Sequence, residues 1–310
     1  MSENLNSQST VLTGAKQTMA SWSKVVESYE TLPVIYKSYF EALLVNGQQF
    51  PYIVFTPSFA KSRGKTNEKL VCDFNNAIHI LEKNGNQVIV KSYPYETIYT
   101  LEFGSILLSS WLTISGITST GAASVSTIDF NTSSLRHFTT FLTKLRPAPQ
   151  GTDEIKLKAE KDKFNYLSTL NFKFMNFGRS SLTYGGTILQ ILLQPEIKEP
   201  IWAMLGNMFQ QTISSAHLTI LTNQELILIQ DIAGDKNAGV RHYGGIWEYI
   251  PLRSLKSVSW SETKNGWLSL AITVFPNKTI EKLFAVSSKP ELEQLCAQLQ
   301  EMIGESRALV

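Results

Sequence analysis

The chain has 310 residues, of which 43% are hydrophobic and 17% are charged, and its formal net charge is +2. This length is enough for two domains of ordinary size, and the low charged fraction predicts large buried surfaces, including one between the domains. A net charge so close to zero gives no electrostatic basis for nucleic acid as a partner. The first residues lack the basic and apolar segments of a secretory signal, and no apolar run reaches the ~20 residues of a membrane-spanning helix, so we expect a cytoplasmic protein.

Residues 1–14 are polar and are expected to be disordered. The next residues carry apolar side chains at steps of three and four, which predicts a helix over residues 16–29. Pro33 interrupts this pattern, and a second helix is predicted over residues 35–44. The apolar positions of the first helix are Met19, Trp22, Val25, Val26 and Tyr29.

Short apolar runs separated by turn residues follow, and they predict a set of about seven antiparallel strands between residues 50 and 130. Asn75-Asn76 and Asn84-Gly85 are typical hairpin turns. An amphipathic helix over residues 133–145 is predicted to close this set, and Pro147 should end it. The apolar stripe of this helix consists of Leu135, Phe138, Phe141, Leu142 and Leu145.

Residues 147–152 are rich in Pro and Gly and form the predicted linker. A charged helical segment is predicted over residues 153–177, and a second set of strands begins near residue 188. A second amphipathic helix is predicted to start at Ser288, whose hydroxyl can cap it, and to end at Gly304.

The second half of the chain repeats the pattern of the first. Pro94 and Pro251 are 157 residues apart, Trp111 and Trp267 are 156 apart, and the starts of two late strands, Ile128 and Leu283, are 155 apart. One shared period of about half the chain indicates two copies of one domain. We therefore predict a first domain with its leading helices in residues 15–146 and a second, with a helical lead-in, in residues 153–310.

This order of hairpins, with a proline just before Ile98 and Leu255, a strand led by tryptophan and a terminal amphipathic helix, resembles the bacterial pleckstrin-homology-like (PH-like) domains. The resemblance covers about residues 50–146 and 186–304. It implies an α+β, mainly β fold of two tandem PH-like barrels, each of about seven antiparallel strands closed by a C-terminal amphipathic helix. It also implies a binding role, but no particular ligand, because such barrels serve lipid, peptide and scaffold functions alike.

The densest basic cluster is Lys61, Arg63 and Lys65, in the loop after the first strand of the first domain. In lipid-binding PH domains this loop holds a phosphoinositide headgroup with basic residues. The cluster is therefore a candidate site for an anion or anionic lipid, although the alternative of a solvated loop remains open.

The second domain has a long loop with several apolar residues, residues 198–214, and the first domain has no comparable apolar insert. Its apolar residues fall at helical steps, which predicts a short amphipathic helix that either covers its own domain or forms a surface for a partner. His242, in a glycine-rich loop beside Arg241, is the one histidine with a functional setting. The candidate partner surface consists of Trp202, Met208, Phe209 and His242.

The remaining sequence patterns indicate no catalytic or metal-binding site. The four histidines are not spaced as metal ligands, Cys72 and Cys296 stand in apolar contexts that predict buried thiols, and no nucleotide-binding or nucleophile motif is present. We thus predict a non-enzymatic binding or scaffold protein with no metal and no cofactor, whose partner is a protein. The alternatives are a peripheral membrane protein that binds anionic lipid through the Lys61–Lys65 loop and, with less support, a hydrolase or a small-molecule carrier.

Overall fold

The structure is a computed structural model that describes residues 19, 21–41, 50–61, 64–147, 151–204, 207–232 and 244–308. The helices are α1 (Val34–Glu41), α2 (Leu135–Leu145), α3 (Glu154–Asp162), α4 (Phe172–Ser181) and α5 (Lys289–Ala308). The strands, in chain order, are β1 (Lys24–Val26), β2 (Tyr52–Thr56), β3 (Ala60–Lys61), β4 (Gly64–Lys65), β5 (Lys69–Phe74), β6 (Ala77–Asn84), β7 (Gln87–Pro94), β8 (Ile98–Ile106), β9 (Ser109–Ile117), β10 (Ala123–Asn131), β11 (Ile188–Gln194), β12 (Ile197–Met204), β13 (Asn207–Ser214), β14 (His217–Thr222), β15 (Glu225–Asp231), β16 (Gly244–Pro251), β17 (Leu255–Glu262), β18 (Leu268–Val274) and β19 (Lys278–Phe284).

These strands form antiparallel sheets. The largest has the order β10-β9-β8-β16-β15-β14-β11, a second has the order β1-β2-β5-β6-β7, and a third is β17-β18-β19. β3 pairs with β4 and β12 pairs with β13 as separate two-stranded units. The prediction of a mainly β fold with antiparallel sheets and a C-terminal helix is confirmed, whereas none of the described sheets closes into a barrel.

One order of elements occurs twice along the chain. The first repeat comprises β2 and β5–β7, then β8–β10, then α2; the second comprises β11 and β14–β16, then β17–β19, then α5. A proline-led 3-10 turn links the four-stranded and three-stranded parts in each repeat. The backbone angles at the two prolines nearly coincide, at φ −56° and ψ 138° for Pro94 and φ −55° and ψ 137° for Pro251. The structure thus gives both prolines the same role at the same corner.

The two repeats are joined into one sheet. β16, the fourth strand of the second repeat, pairs antiparallel with β8, the fifth strand of the first, from Gly244 opposite Ile106 to Tyr249 opposite Leu101. This pairing makes the seven-stranded sheet continuous across the repeats. The linker between the repeats therefore does not by itself set their orientation.

Three apolar clusters hold the layers together. The largest lies on one face of the seven-stranded sheet, where β2 and β5–β7 with α2 cover the first repeat's strands and the α3–α4 segment covers the second repeat's strands. The second fills the space between β14–β16, β17–β19 and α5. The third lies on the outer face of β5–β7 under β1 and α1. Because the largest cluster draws on both repeats, they share a core, as the low charged fraction predicts.

The helix predicted over residues 16–29 is wrong for its described part. Lys24–Val26 is a strand that pairs with β2, with Val25 opposite Val54. Val25 and Val26 are β-branched and contact different apolar clusters on the two faces of the sheet, which a helix with one apolar stripe cannot do. Pairing with a strand distant in sequence overrides the local helical spacing here.

The predictions based on turns and helical stripes agree better with the structure. Asn75 and Asn76 both have φ 54° and form the turn between β5 and β6, and Gly85 has φ 61° between β6 and β7. The predicted closing helix of the first repeat is α2, whose buried residues lie on the predicted stripe. The corresponding helix α5 does not end at Gly304 but continues to Ala308.

Candidate functional site

The basic loop of the first repeat is a short hairpin. β3 and β4 pair with Ala60 opposite Lys65 and Lys61 opposite Gly64. Thr66 closes its base, because its N–H donates to Phe59 O at 2.9 Å and its hydroxyl accepts from Phe59 N at 2.9 Å. Lys61 and Lys65 are thus brought onto the two strands of one hairpin, and Lys65 is exposed, whereas Arg63 lies outside the described residues.

The amphipathic helix predicted over residues 198–214 is wrong. The segment forms the β12–β13 hairpin, in which Trp202 is opposite Phe209 and Ala203 is opposite Met208. Pro200 opposes a helix here, since a proline inside a helix removes a hydrogen bond and clashes with the preceding turn. The hairpin is attached to its repeat through Glu199, which accepts a hydrogen bond from Trp267 Nε1 at 2.6 Å. Trp202, Met208 and Phe209 therefore lie along one hairpin, and His242 lies outside the described residues.

A groove of about 470 Å³ runs beside the outer edge of β7. β7 forms one wall, and residues 118–120 and 122–124, at the turn into β10, form the other. Two hydrogen bonds cross it, from Ser119 N to Ser92 O at 2.9 Å and from Lys91 Nζ to Val125 O at 3.0 Å. Ile89 and Val90 remain 44% and 36% exposed, so apolar side chains are accessible to solvent at this edge.

A buried ion pair connects the repeats. Arg146, at the end of α2, contacts Glu225, at the start of β15, and their side chains are only 5% and 3% exposed. The guanidinium also donates from Nη2 to Ser181 O at 2.7 Å and lies 4.0 Å from the Tyr249 ring centroid. Burial alone lowers the pKa of Arg146, but the charge of Glu225 more than offsets this effect and the net pKa is raised. The two side chains are therefore buried and hydrogen-bonded to each other at the junction.

Further contacts fix the same junction. Arg253, in the proline-led turn of the second repeat, donates from Nη2 to Tyr95 O in the matching turn of the first at 3.1 Å. The ring centroids of Trp247 on β16 and Phe103 on β8 are 5.4 Å apart. Gly244 has φ +154°, and a Cβ there would lie 1.9 Å from Ser105 O of β8. The junction thus requires a glycine where β16 first meets β8.

A small cavity of about 260 Å³ lies between β13, the β14–β15 pair and β19, with His217 and Lys282 in its lining. His217 is 2% exposed, and burial lowers its pKa to about 4, so it is neutral at physiological pH. Its Nδ1 contacts Ser215 O at 3.2 Å, which leaves Nε2 buried without a partner in the described part of the chain. Lys282 Nζ donates to Gln230 Oε1 at 2.6 Å, so the cation is engaged by the protein itself.

Cys72 and Cys296 are buried free thiols, as predicted, and burial raises the pKa of the Cys296 thiol to about 11. Such thiols are poor nucleophiles. Among the residues that the structure describes, no three His, Cys, Asp or Glu side chains are grouped as metal ligands would be.

No protein-family model matches the chain, and a search of curated proteins finds no significant relative. In the described ranges, every helix is too short or too polar to cross a bilayer.

Sequence reasoning missed the groove beside β7 and the Arg146–Glu225 pair. A signal for the groove was present in Val88, Ile89 and Val90, three successive apolar residues shortly after a hairpin turn, which cannot all face one side of a sheet. No local signal marks Arg146 and Glu225 as partners, because they are distant in sequence and each is a common residue type beside a turn.

Proposed function

We propose that the protein is a non-enzymatic binding or scaffold protein composed of two PH-like units. In each repeat four strands, a proline-led corner, three strands and a closing helix follow in the order expected of a PH-like unit. Each repeat also has a separate hairpin after its first strand, the short β3–β4 hairpin in the first and the longer β12–β13 hairpin in the second. The proposal rests on this repeated order and on the continuity of the two units.

The observation that carries the proposal is the β8–β16 pairing. Together with Arg146–Glu225 and the hydrogen bond from Arg253, it links the two units through main chain, buried charge and apolar packing at once. Units connected only by a flexible linker would move independently, whereas these two hold their outer surfaces in one relative orientation. A fixed orientation suits a protein that positions partners relative to one another.

The surface that we assign to a protein partner is the β12–β13 hairpin. It pairs with no other described strand, it is longer than the β3–β4 hairpin at the matching place in the first unit, and it carries Trp202, Met208 and Phe209, residue types that are enriched at protein interfaces. Glu199 bonded to Trp267 anchors its base.

A photo-crosslinking amino acid at Met208 tests this assignment in the cells that make the protein. The proposal predicts a discrete adduct with another protein, and the adduct should disappear when Trp202 and Phe209 are both changed to Ala. The same crosslinker at Val286, which is exposed near α5, serves as the control and should give no such adduct. Equal labelling at both positions, or no adduct at Met208, would show that the hairpin is not the partner surface.

Binding of anionic lipid through Lys61, Arg63 and Lys65 is the second candidate, and the β3–β4 hairpin favours it because it brings Lys61 and Lys65 together. Each basic residue near an anionic bilayer contributes about 1 kcal/mol, so three give only weak, salt-sensitive binding. Co-sedimentation with anionic and neutral vesicles distinguishes the two candidates. The scaffold proposal predicts no binding to either.

The lipid candidate predicts salt-sensitive binding to anionic vesicles alone. Changing Lys61, Arg63 and Lys65 together to Ala should abolish it. A matched change of three exposed lysines elsewhere, Lys156, Lys158 and Lys264, should have little effect. Equal binding of both triple variants would place any lipid site outside the hairpin.

A further inference from the structure

The two repeats allow one strand to be compared in two environments. β7 and β16 are equivalent, because each is the fourth strand of its repeat and ends at a proline-led corner. The outer edge of β16 pairs with β8, whereas β7 is the last strand of its sheet, and no described strand pairs with its outer edge. The fold therefore uses this edge for strand addition in one repeat and leaves it open in the other.

The open edge has apolar residues and space beside it. Ile89 and Val90 are 44% and 36% exposed, and the groove of about 470 Å³ follows the strand. In the second repeat the matching edge, that of β16, accommodates β8 together with its whole sheet. A strand that belongs to a larger sheet thus fits at this position.

The alternation of hydrogen bonds shows which groups of β7 are available. Asn84 pairs with Gln87 across a two-residue turn, so Gln87, Ile89 and Lys91 bond to β6 and the N–H and C=O of Val88 and Val90 point outward. Ser92 continues this alternation, because its C=O also points outward and accepts a hydrogen bond from Ser119 N at 2.9 Å. The free stretch is therefore residues 87–91.

Repeating the β16–β8 joint between molecules is blocked. The equivalent of β8 in the second repeat is β17, and α5 lies along it, since Gln300 Nε2 donates to Val258 O at 3.4 Å and Lys289 Nζ lies 5.3 Å from the Trp260 ring centroid. A covered edge cannot accept another strand. If the chain pairs with itself through β7, β7 must meet β7 of a second copy.

We propose that β7 is a dimer interface, at which two chains pair antiparallel about a two-fold axis through Ile89. In this register Val88 of each chain exchanges hydrogen bonds with Val90 of the other, which uses the outward-pointing groups. Gln87 faces Lys91, so no like charges are opposed. The two five-stranded sheets become one of ten strands. This interface does not depend on the proposed function of the hairpin.

Sedimentation and light scattering test the dimer directly. The intact chain should have twice the 34.7 kDa mass of one chain. Ile89→Lys places two ammonium groups opposite each other on the axis and should weaken dimerisation at least about tenfold. Val286→Lys, at a similarly exposed position in the second repeat, is the control and should remain dimeric.

Disulfide capture tests the register. Ile89→Cys should crosslink to its own copy on oxidation, because residues opposed on the axis of an antiparallel pair have the Cα spacing that a disulfide needs. Val286→Cys should not crosslink, and the native thiols are buried. A chain that is monomeric at every concentration, a dimer unaffected by Ile89→Lys, or a cysteine at position 89 that captures only a different protein would each refute the proposal.

Discussion

At the scale of single residues, the Arg146–Glu225 pair is the contact that depends most on its partner. Both side chains are almost fully buried, so Arg146→Ala leaves an unpaired carboxylate in the core and should cost about 3–5 kcal/mol of unfolding free energy. Urea denaturation measures this loss. Lys198→Ala, which removes one member of the exposed Lys198–Glu196 pair, should change stability by less than about 1 kcal/mol.

The double variant Arg146→Met with Glu225→Leu separates charge burial from packing. It removes both charges and should recover most of the stability that Arg146→Ala loses, because a buried pair replaced by apolar groups is often neutral. If the double variant is as unstable as the single one, the contribution of Arg146 comes from Ser181 and Tyr249 instead.

His217 predicts a dependence of stability on pH. Burial lowers its pKa to about 4, below the ordinary value of about 6.5, so the unfolded chain binds the proton more readily. The folding stability that depends on a neutral His217 is fully present above pH 6.5 and is lost as the pH falls towards 4. Between pH 7.5 and 4.5, wild type should lose about 2.5 kcal/mol more than His217→Leu, since the other titrating groups are common to both. Equal losses in the two proteins would contradict this assignment.

At the scale of elements, the β8–β16 joint requires a glycine at position 244. A Cβ on Gly244 would meet Ser105 O of β8 at 1.9 Å, whereas a Cβ on Gly121, which also has positive φ, meets no atom within 4 Å. Both substitutions strain the backbone, but only Gly244→Ala also pushes the two repeats apart. We expect Gly244→Ala to lose about 2 kcal/mol more than Gly121→Ala in thermal or urea unfolding. Similar losses would indicate that β16 does not lie against β8.

Elements with a local cause are the ones that sequence reasoning predicted. The Asn75-Asn76 turn and the stripe of α2 follow from backbone preferences or helical spacing over a few residues. The failures at residues 16–29 and 198–214 have one physical reason. In both, helical spacing of apolar residues is overridden by strand pairing, with β2 in the first case and across a hairpin containing Pro200 in the second.

The candidate sites also differ in whether a local sequence pattern or a distant strand determines them. The Lys61–Lys65 cluster is contiguous in sequence, so its proximity was predictable, although its hairpin form was not. The apolar run at Ile89 and Val90 indicates apolar side chains on both faces of β7, but not that the edge of β7 is open, because that depends on which distant strand is absent. Only comparison with β16, whose edge is filled by β8, shows that the position is a site for a strand.

At the scale of the whole molecule, the two repeats form one body. The seven-stranded sheet and the largest apolar cluster both extend across the repeats. The orientation of the proposed partner hairpin relative to the first repeat is then set by the fold rather than by the linker. The open edge of β7, at the end of the five-stranded sheet, would extend this body to a dimer.

Residue-resolved hydrogen–deuterium exchange on the intact chain tests the joint between the repeats most directly. Residues 101–106 of β8 and 244–249 of β16 should exchange only with a free energy close to that of global unfolding, because their pairing lies in the middle of the largest sheet. Residues 207–214 of the two-stranded β12–β13 hairpin should exchange much sooner and serve as the internal reference. Exchange of the β8 and β16 segments as fast as that of the hairpin would show that the repeats are separate bodies and would contradict the account.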